Sequence, residues 1–102
     1  MKLCRVMIAC FLTAVLTASV AAQSAADLYK SRCQGCHGAD GKPGFFGRRM
    51  GAKAFSDPDV AKMSEADLIK VITDGKNKMP SYKGKLTDDQ IKSLAKYVKE
   101  MK

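Results

Sequence analysis

Five consecutive residues carry the most distinctive chemistry of this chain: Cys33-Gln34-Gly35-Cys36-His37. Two thiols three positions apart fall on one side of a helical turn. So placed, they can reach the two vinyl groups of one porphyrin and form thioethers, which makes C-x-x-C-H the attachment signature of a c-type haem. The adjoining His37 imidazole can then swing beneath the iron. Paired cysteines also serve zinc sites and redox dithiols. A zinc site needs two more ligands, and beyond residue 22 the chain offers no further Cys and no second His. A redox dithiol leaves His37 unexplained, and no strand-rich pattern surrounds the motif. The expectation is haem attachment through Cys33 and Cys36, with His37 as an axial iron ligand.

An iron held by one histidine keeps a sixth position, and its occupant decides the function. His37 is the only His of the chain, so ligation by a second His from the same chain is excluded. The candidates are Met50, Met63, Met79 and Met101, a Lys, a Tyr, or nothing. Met101 lies at the C-terminal end, where helices fray. Met63 reads as core, packed where two short helices meet. Met50 sits in a glycine-flanked loop and is the serious competitor. Met79 has the better local logic, because its irregular loop lies between two capped helices and Pro80 stiffens the backbone just after it.

The elements that must position these groups are helical. Residues 24–32 form a first helix with Leu28 and Tyr29 as its apolar positions, Asp27 in the first turn, and Lys30 and Arg32 in the last, as the helix dipole favours. Periodicity then vanishes from Gly38 to Phe55, where glycines and Pro43 supply turn chemistry. A loop of that length is usually functional or wrapped around something. Here it is expected to pass along the His37 side of the haem. A carbonyl near Pro43 would accept from the second ring nitrogen of His37, and Phe45, Phe46 and Phe55 are candidates either to cover the porphyrin or to serve as plain core. Asp57-Pro58 starts a short turn through Val60 and Met63. Ser64 and Asp67 form a capping box for a helix striped by Leu68, Ile69 and Ile72 and ended by Gly75. Thr87 and Gln90 form another for the last helix, with Ile91, Leu94, Ala95 and Val98 at helical spacing. The fold class is all-α, with three to five short helices around one covalently bound haem.

The chain has 102 residues, with 18 Lys plus Arg against 10 Asp plus Glu and a formal charge of +8. Its start is short and basic, followed by an apolar run from Val6 to Ala22 that ends in small residues. This is the pattern of a signal peptide over residues 1–22, cut after Ala21 or Ala22, rather than of an uncleaved anchor. The remaining domain, residues 23–102, holds only the two cysteines of the motif, so no structural disulfide is available. A domain this small needs a staple, and a covalently held haem is one; the chain without it is expected to fold poorly.

The motifs together resemble the class I c-type cytochromes, over residues 24–102. The carriers of the resemblance are Cys33 to His37, Lys78-Met79-Pro80-Ser81-Tyr82, and Gly84-Lys85-Leu86-Thr87-Asp88-Asp89-Gln90-Ile91. The modest separation of His37 from Met79 looks most like the small bacterial and algal c6 or c553 type. The resemblance implies Met79 as the axial ligand and a first helix that crosses the last, with Tyr29 and Tyr97 at the crossing. One departure is Ala25, where the family often has Gly.

With His37 and Met79 both on the iron, no position is open to O2 or peroxide. A thioether ligand favours the reduced state and raises the potential, as does apolar wrapping. The expected protein is a monomeric, exported, soluble one-electron carrier of the periplasm or an equivalent compartment, and not an enzyme. Its partners would be redox proteins, steered to acidic docking faces by Lys76, Lys78, Lys83 and Lys85, with Arg48, Arg49 and Lys53 adding to the rim. Peripheral contact with membrane redox complexes fits this role; nucleic acid does not. The alternatives are a haem subunit or domain of a larger oxidase or dehydrogenase, and a haem peroxidase or gas sensor should the Met ligand be labile.

Overall fold

Four helices among the described residues begin where a capping side chain satisfies a free backbone N–H group. The computed structural model describes residues 23–101, so the expected signal segment and its cleavage site lie outside the described residues. Ser24 caps α1 (Ala25–Arg32) by accepting from the Asp27 amide at 3.2 Å. Asp57 does the same for the one-turn α4 (Pro58–Ala61), with Pro58 at the first helical position. Both expected capping boxes are present. Ser64 and Asp67 exchange hydrogen bonds of 3.1 Å at the start of α5 (Glu65–Asp74), and Thr87 and Gln90 exchange bonds of 2.9 and 3.1 Å at the start of α6 (Asp88–Glu100).

Six helices stand among the described residues, one more than the upper bound expected. Two of the short ones lie at and after the C-x-x-C-H motif. The motif coils into α2 (Gln34–His37), the helical turn expected of it, and α3 (Phe45–Arg49) forms inside the segment expected to be irregular. Its glycines, Gly44 and Gly47, lower helix propensity and conceal it from a periodicity argument. No strand forms among the described residues; two isolated bridges pair Lys76 with Met79 and Lys83 with Leu86.

The core is small and continuous. Leu28 and Tyr29 of α1, Leu68 and Ile72 of α5, Leu86, and Ile91, Leu94 and Ala95 of α6 are buried together. The longest helix, α6, packs against both α5 and α1. Ala95 is fully buried there, which lets the backbones approach. The Tyr29 and Tyr97 rings meet with centroids 5.3 Å apart, so α1 and α6 do cross where the two tyrosines were expected. Met101, expected to fray, instead packs on this core. Among the described residues no helix is long and apolar enough to cross a membrane.

Candidate cofactor site

A cavity of about 380 Å³ opens between α1, α2, the end of α3, α5, α6 and the loop after α5. Its volume falls in the range of about 300–1,000 Å³ usual for cofactor sites. Cys33, Cys36, His37 and Met79 all line it. The two ends of the chain's reactive sequence, more than forty positions apart, therefore face one space.

The motif is held in place from three sides. The Cys33 amide donates to the Tyr29 carbonyl at 2.9 Å and the His37 amide to the Cys33 carbonyl at 2.9 Å, so α1 hands directly on to α2. The Tyr29 hydroxyl donates to the Gly38 carbonyl at 2.5 Å, fixing the exit of the motif. Burial raises the Tyr29 pKa to about 12, so this donor keeps its proton across the physiological range. Gly47 of α3 lies against the Cys36 carbonyl so closely that a side chain there would overlap it.

Met79 is held by backbone bonds and one long-range tie. Its amide donates to the Lys76 carbonyl at 2.9 Å and its carbonyl accepts from the Lys76 amide at 3.1 Å. Asn77 makes this tight turn possible by adopting φ +52, a region that asparagine tolerates. Beyond Pro80, the Ser81 hydroxyl donates to the Thr73 carbonyl at 2.6 Å, and the Tyr82 amide donates to the Ile72 carbonyl at 3.1 Å. The Tyr82 hydroxyl then reaches across to the Arg32 carbonyl at 3.0 Å. That bond ties the Met79 loop to the residue just before Cys33. The signal for it was an ordinary Tyr in a polar loop, which local sequence does not distinguish.

Burial shifts two reactive groups of the motif. Burial pushes the His37 pKa below its usual value and so favours the neutral, ligating form. Burial pushes the Cys33 thiol up to about 11, opposite to the lowered pKa of an attacking thiolate. His37 Nδ1 is buried without a hydrogen-bond partner among the described residues. The expected carbonyl near Pro43 therefore does not accept from it: the Lys42–Pro43 segment packs its backbone toward Gly38, and Pro43 lies against Gly47. With Nδ1 enclosed, Nε2 is the His37 nitrogen left for a group held in the cavity that the ring lines. The donor set fits a haem.

Other expectations about the walls need correction. Phe55 does line the cavity, with its ring centroid 5.1 Å from that of His37 and 6.2 Å from that of Tyr29. Phe45 and Phe46 do not; they project into solvent, because Gly47 is the residue of α3 that turns inward. Met63 packs on the core as expected and also lines the cavity, as does Met50, so with Met79 three thioethers line it. Of the expected basic rim, Lys53, Lys76 and Lys78 reach the cavity and Arg32 joins them, whereas Lys83, Lys85, Arg48 and Arg49 do not. No cluster of three or more His, Cys, Asp or Glu side chains suited to a metal ion occurs among the described residues.

Comparison with known proteins gives the family of the chain. Residues 20–98 match the family described as cytochrome c oxidase, cbb3-type, subunit III. Cytochrome c6 of Thermostichus vulcanus is 31% identical over 100 residues, covering 95% of this chain and 86% of that protein. Cytochrome c6 of a Nostoc species is 36% identical over 93 residues, covering 89% and 82%. Among solved structures, the KustC0563 c-type cytochrome is 34% identical, with a TM-score of 0.72 over 78% of this chain and 99% of that one. A cytochrome c6C from a Synechococcus species gives a TM-score of 0.60 at 25% identity, over 76% and 93%. With the thiol pair, the neutral imidazole and the helical wrap already in place, these relatives identify the chain as a member of the class I c-type cytochromes, a small c6-like haem electron carrier rather than an enzyme, with one covalently bound haem c.

Proposed function

We propose that Cys33 and Cys36 hold the haem through two thioethers, that His37 and Met79 are its axial ligands, and that the protein is an exported, soluble one-electron shuttle. The observation that carries this reading is the convergence of Cys33, Cys36, His37 and Met79 on one cavity. When bound, haem supplies a one-electron Fe(II)/Fe(III) couple. The chain's own residues do the rest. Tyr29 and Gly47 fix the path of the motif, so that the two cysteines and His37 share one face. The turn from Lys76 to Met79 and the Tyr82 tie fix the loop that carries Met79 along the cavity, which supports its thioether as the second ligand. Phe55, Leu68, Ile72 and Leu94 exclude water, which disfavours the oxidised centre with its extra charge. With His37 and Met79 both bound to the iron, small oxidants would have no entry and the potential would be positive.

The basic start and the apolar run from Val6 to Ala22 support export to the periplasm or an equivalent compartment. The cations at the cavity mouth, Arg32, Lys76 and Lys78, support steering toward acidic redox proteins, with a monomer as the working unit and contact with membrane complexes peripheral. A second reading is favoured by the description of the matching family: the chain would serve as a haem subunit of a larger oxidase. Co-purification with a membrane complex under gentle detergent would select that reading.

The test is maturation in a host that attaches haem. The exported wild-type protein should have the mass of residues 23–102 plus one haem, within one residue at the cleavage site. Cys36→Ala should leave at most one thioether and sharply reduce matured protein. Normal covalent haem content in Cys36→Ala would refute the attachment residues.

A further inference from the structure

Among the described residues, Phe45 and Phe46 of α3 are the large apolar side chains left in solvent, at 71% and 60% exposure. Neither takes part in the buried cluster or the cavity wall. Adjacent exposed aromatics are unfavourable to leave wet and mark interaction sites when they gather in a patch. Their surroundings have one sign. From residue 41 to residue 56 the chain carries Lys42, Arg48, Arg49 and Lys53 and no Asp or Glu. Lys53 is engaged by Asp59 at 3.0 Å; no carboxylate among the described residues pairs with Arg48 or Arg49. The Arg49 guanidinium instead lies over the Phe45 ring, 5.6 Å from its centroid, so the aromatic and the charge are ordered together before any partner arrives.

Building on the carrier reading above, we propose that this face of α3 is the docking surface for a redox protein that presents an apolar centre rimmed by carboxylates. Aromatic and Arg side chains are the residues enriched at the centres of protein interfaces, where Lys is depleted. The Lys76 and Lys78 rim has the opposite composition. A lipid surface fits less well, since stable interfacial binding takes a long amphipathic helix or a second membrane signal and α3 has five residues. Position also favours a working contact. Gly47 seats α3 on Cys36, and the chain continues from α3 into Met50, Gly51 and Ala52 of the cavity wall. A partner docked on the phenylalanines therefore sits beside the cofactor site.

The experiment uses reduced holoprotein and the membrane fraction of the cells that make it, with oxidation followed in the haem absorbance. The variants are Phe45→Ser with Phe46→Ser, Arg48→Gln with Arg49→Gln, and Lys76→Gln with Lys78→Gln. The phenylalanine pair should raise KM about tenfold, the loss of one interface anchor. Ferricyanide, which takes one electron and becomes ferrocyanide, should oxidise that variant within about twofold of wild type. The arginine pair should lose most at low salt and approach wild type near about 0.5 M, where charges are screened. Protein-free anionic vesicles should bind none of them. The proposal is overturned if neither the phenylalanine nor the arginine pair changes KM, or if only the lysine pair does. It is equally overturned if wild type shows no saturable reaction with membranes, or if anionic vesicles bind wild type and lose the phenylalanine variant. Failure of the carrier reading would show separately, as wild-type protein that ferricyanide does not oxidise reversibly.

Discussion

Gly75 closes α5 at φ +75 and ψ 171, a region open essentially to glycine. A methyl group there would lie 2.7 Å from the Met79 carbonyl oxygen, 2.8 Å from the Ser81 nitrogen and 2.9 Å from the Pro80 carbonyl carbon. All three are backbone atoms, so no side-chain rotation relieves the overlap. Gly84 is the natural control: it also has a positive φ, +76, but a methyl group there meets nothing within 4 Å. Gly84→Ala should cost about 1–2 kcal/mol, the backbone term alone. Gly75→Ala carries a backbone term of about 1–3 kcal/mol and must also push the Met79–Ser81 backbone away. At about 4–8 °C per kcal/mol for a domain of this size, both variants melt measurably lower. The distinguishing readout is spectroscopic. Gly75→Ala holoprotein should lose or weaken the Met-to-iron charge-transfer band and shift to a lower potential; Gly84→Ala should keep both. An intact band and unchanged potential in Gly75→Ala, with the stability loss present, would refute the claim that this turn aims Met79 at the iron.

Other expectations follow from single contacts. Leu94→Ala empties a fully buried position on α6 and should destabilise by about 2–5 kcal/mol in denaturant titrations of the holoprotein. Ser64→Ala removes the N-cap of α5 and should cost about 1 kcal/mol in the same assay. Hydrogen bonds from the Ser64 backbone and hydroxyl hold the Asp67 carboxyl below its ordinary pKa. Its contribution is therefore present above the ordinary carboxylate range and lost as pH falls through the folded value. Asp67→Asn should be less stable than wild type at neutral pH, and the gap should close in acid melts.

How far the sequence anticipates the structure depends on whether the determining contact is local. Ser24, Ser64 and Thr87 are legible as caps because each bonds a backbone group three residues away. Leu68, Ile72, Ile91, Leu94 and Ala95 are legible as core because helical spacing places them on one stripe. The haem motif is legible because its chemistry demands a fixed spacing. What escapes is what distant contacts decide. Gly47 looks like a helix breaker, yet its missing side chain is what allows α3 to approach Cys36. Phe45 and Phe46 look like cofactor cover, and only the seating of α3 turns them outward. Met63 reads as core by position and as cavity wall only once α4 and α5 are placed. The Tyr82 bond to Arg32 spans fifty residues, and no periodicity encodes it.

Three methionines, Met50, Met63 and Met79, face the cavity, and the account rests on one of them binding the iron. A spectroelectrochemical titration of wild-type, Met79→Ala, Met50→Ala and Met63→Ala holoproteins tests this most directly. Wild type, Met50→Ala and Met63→Ala should share a Met-to-iron charge-transfer band in the oxidised form and similar positive potentials. Met79→Ala alone should lose the band, admit cyanide readily and shift to a lower potential. Loss of the band in Met50→Ala or Met63→Ala, with Met79→Ala unaffected, would contradict the account.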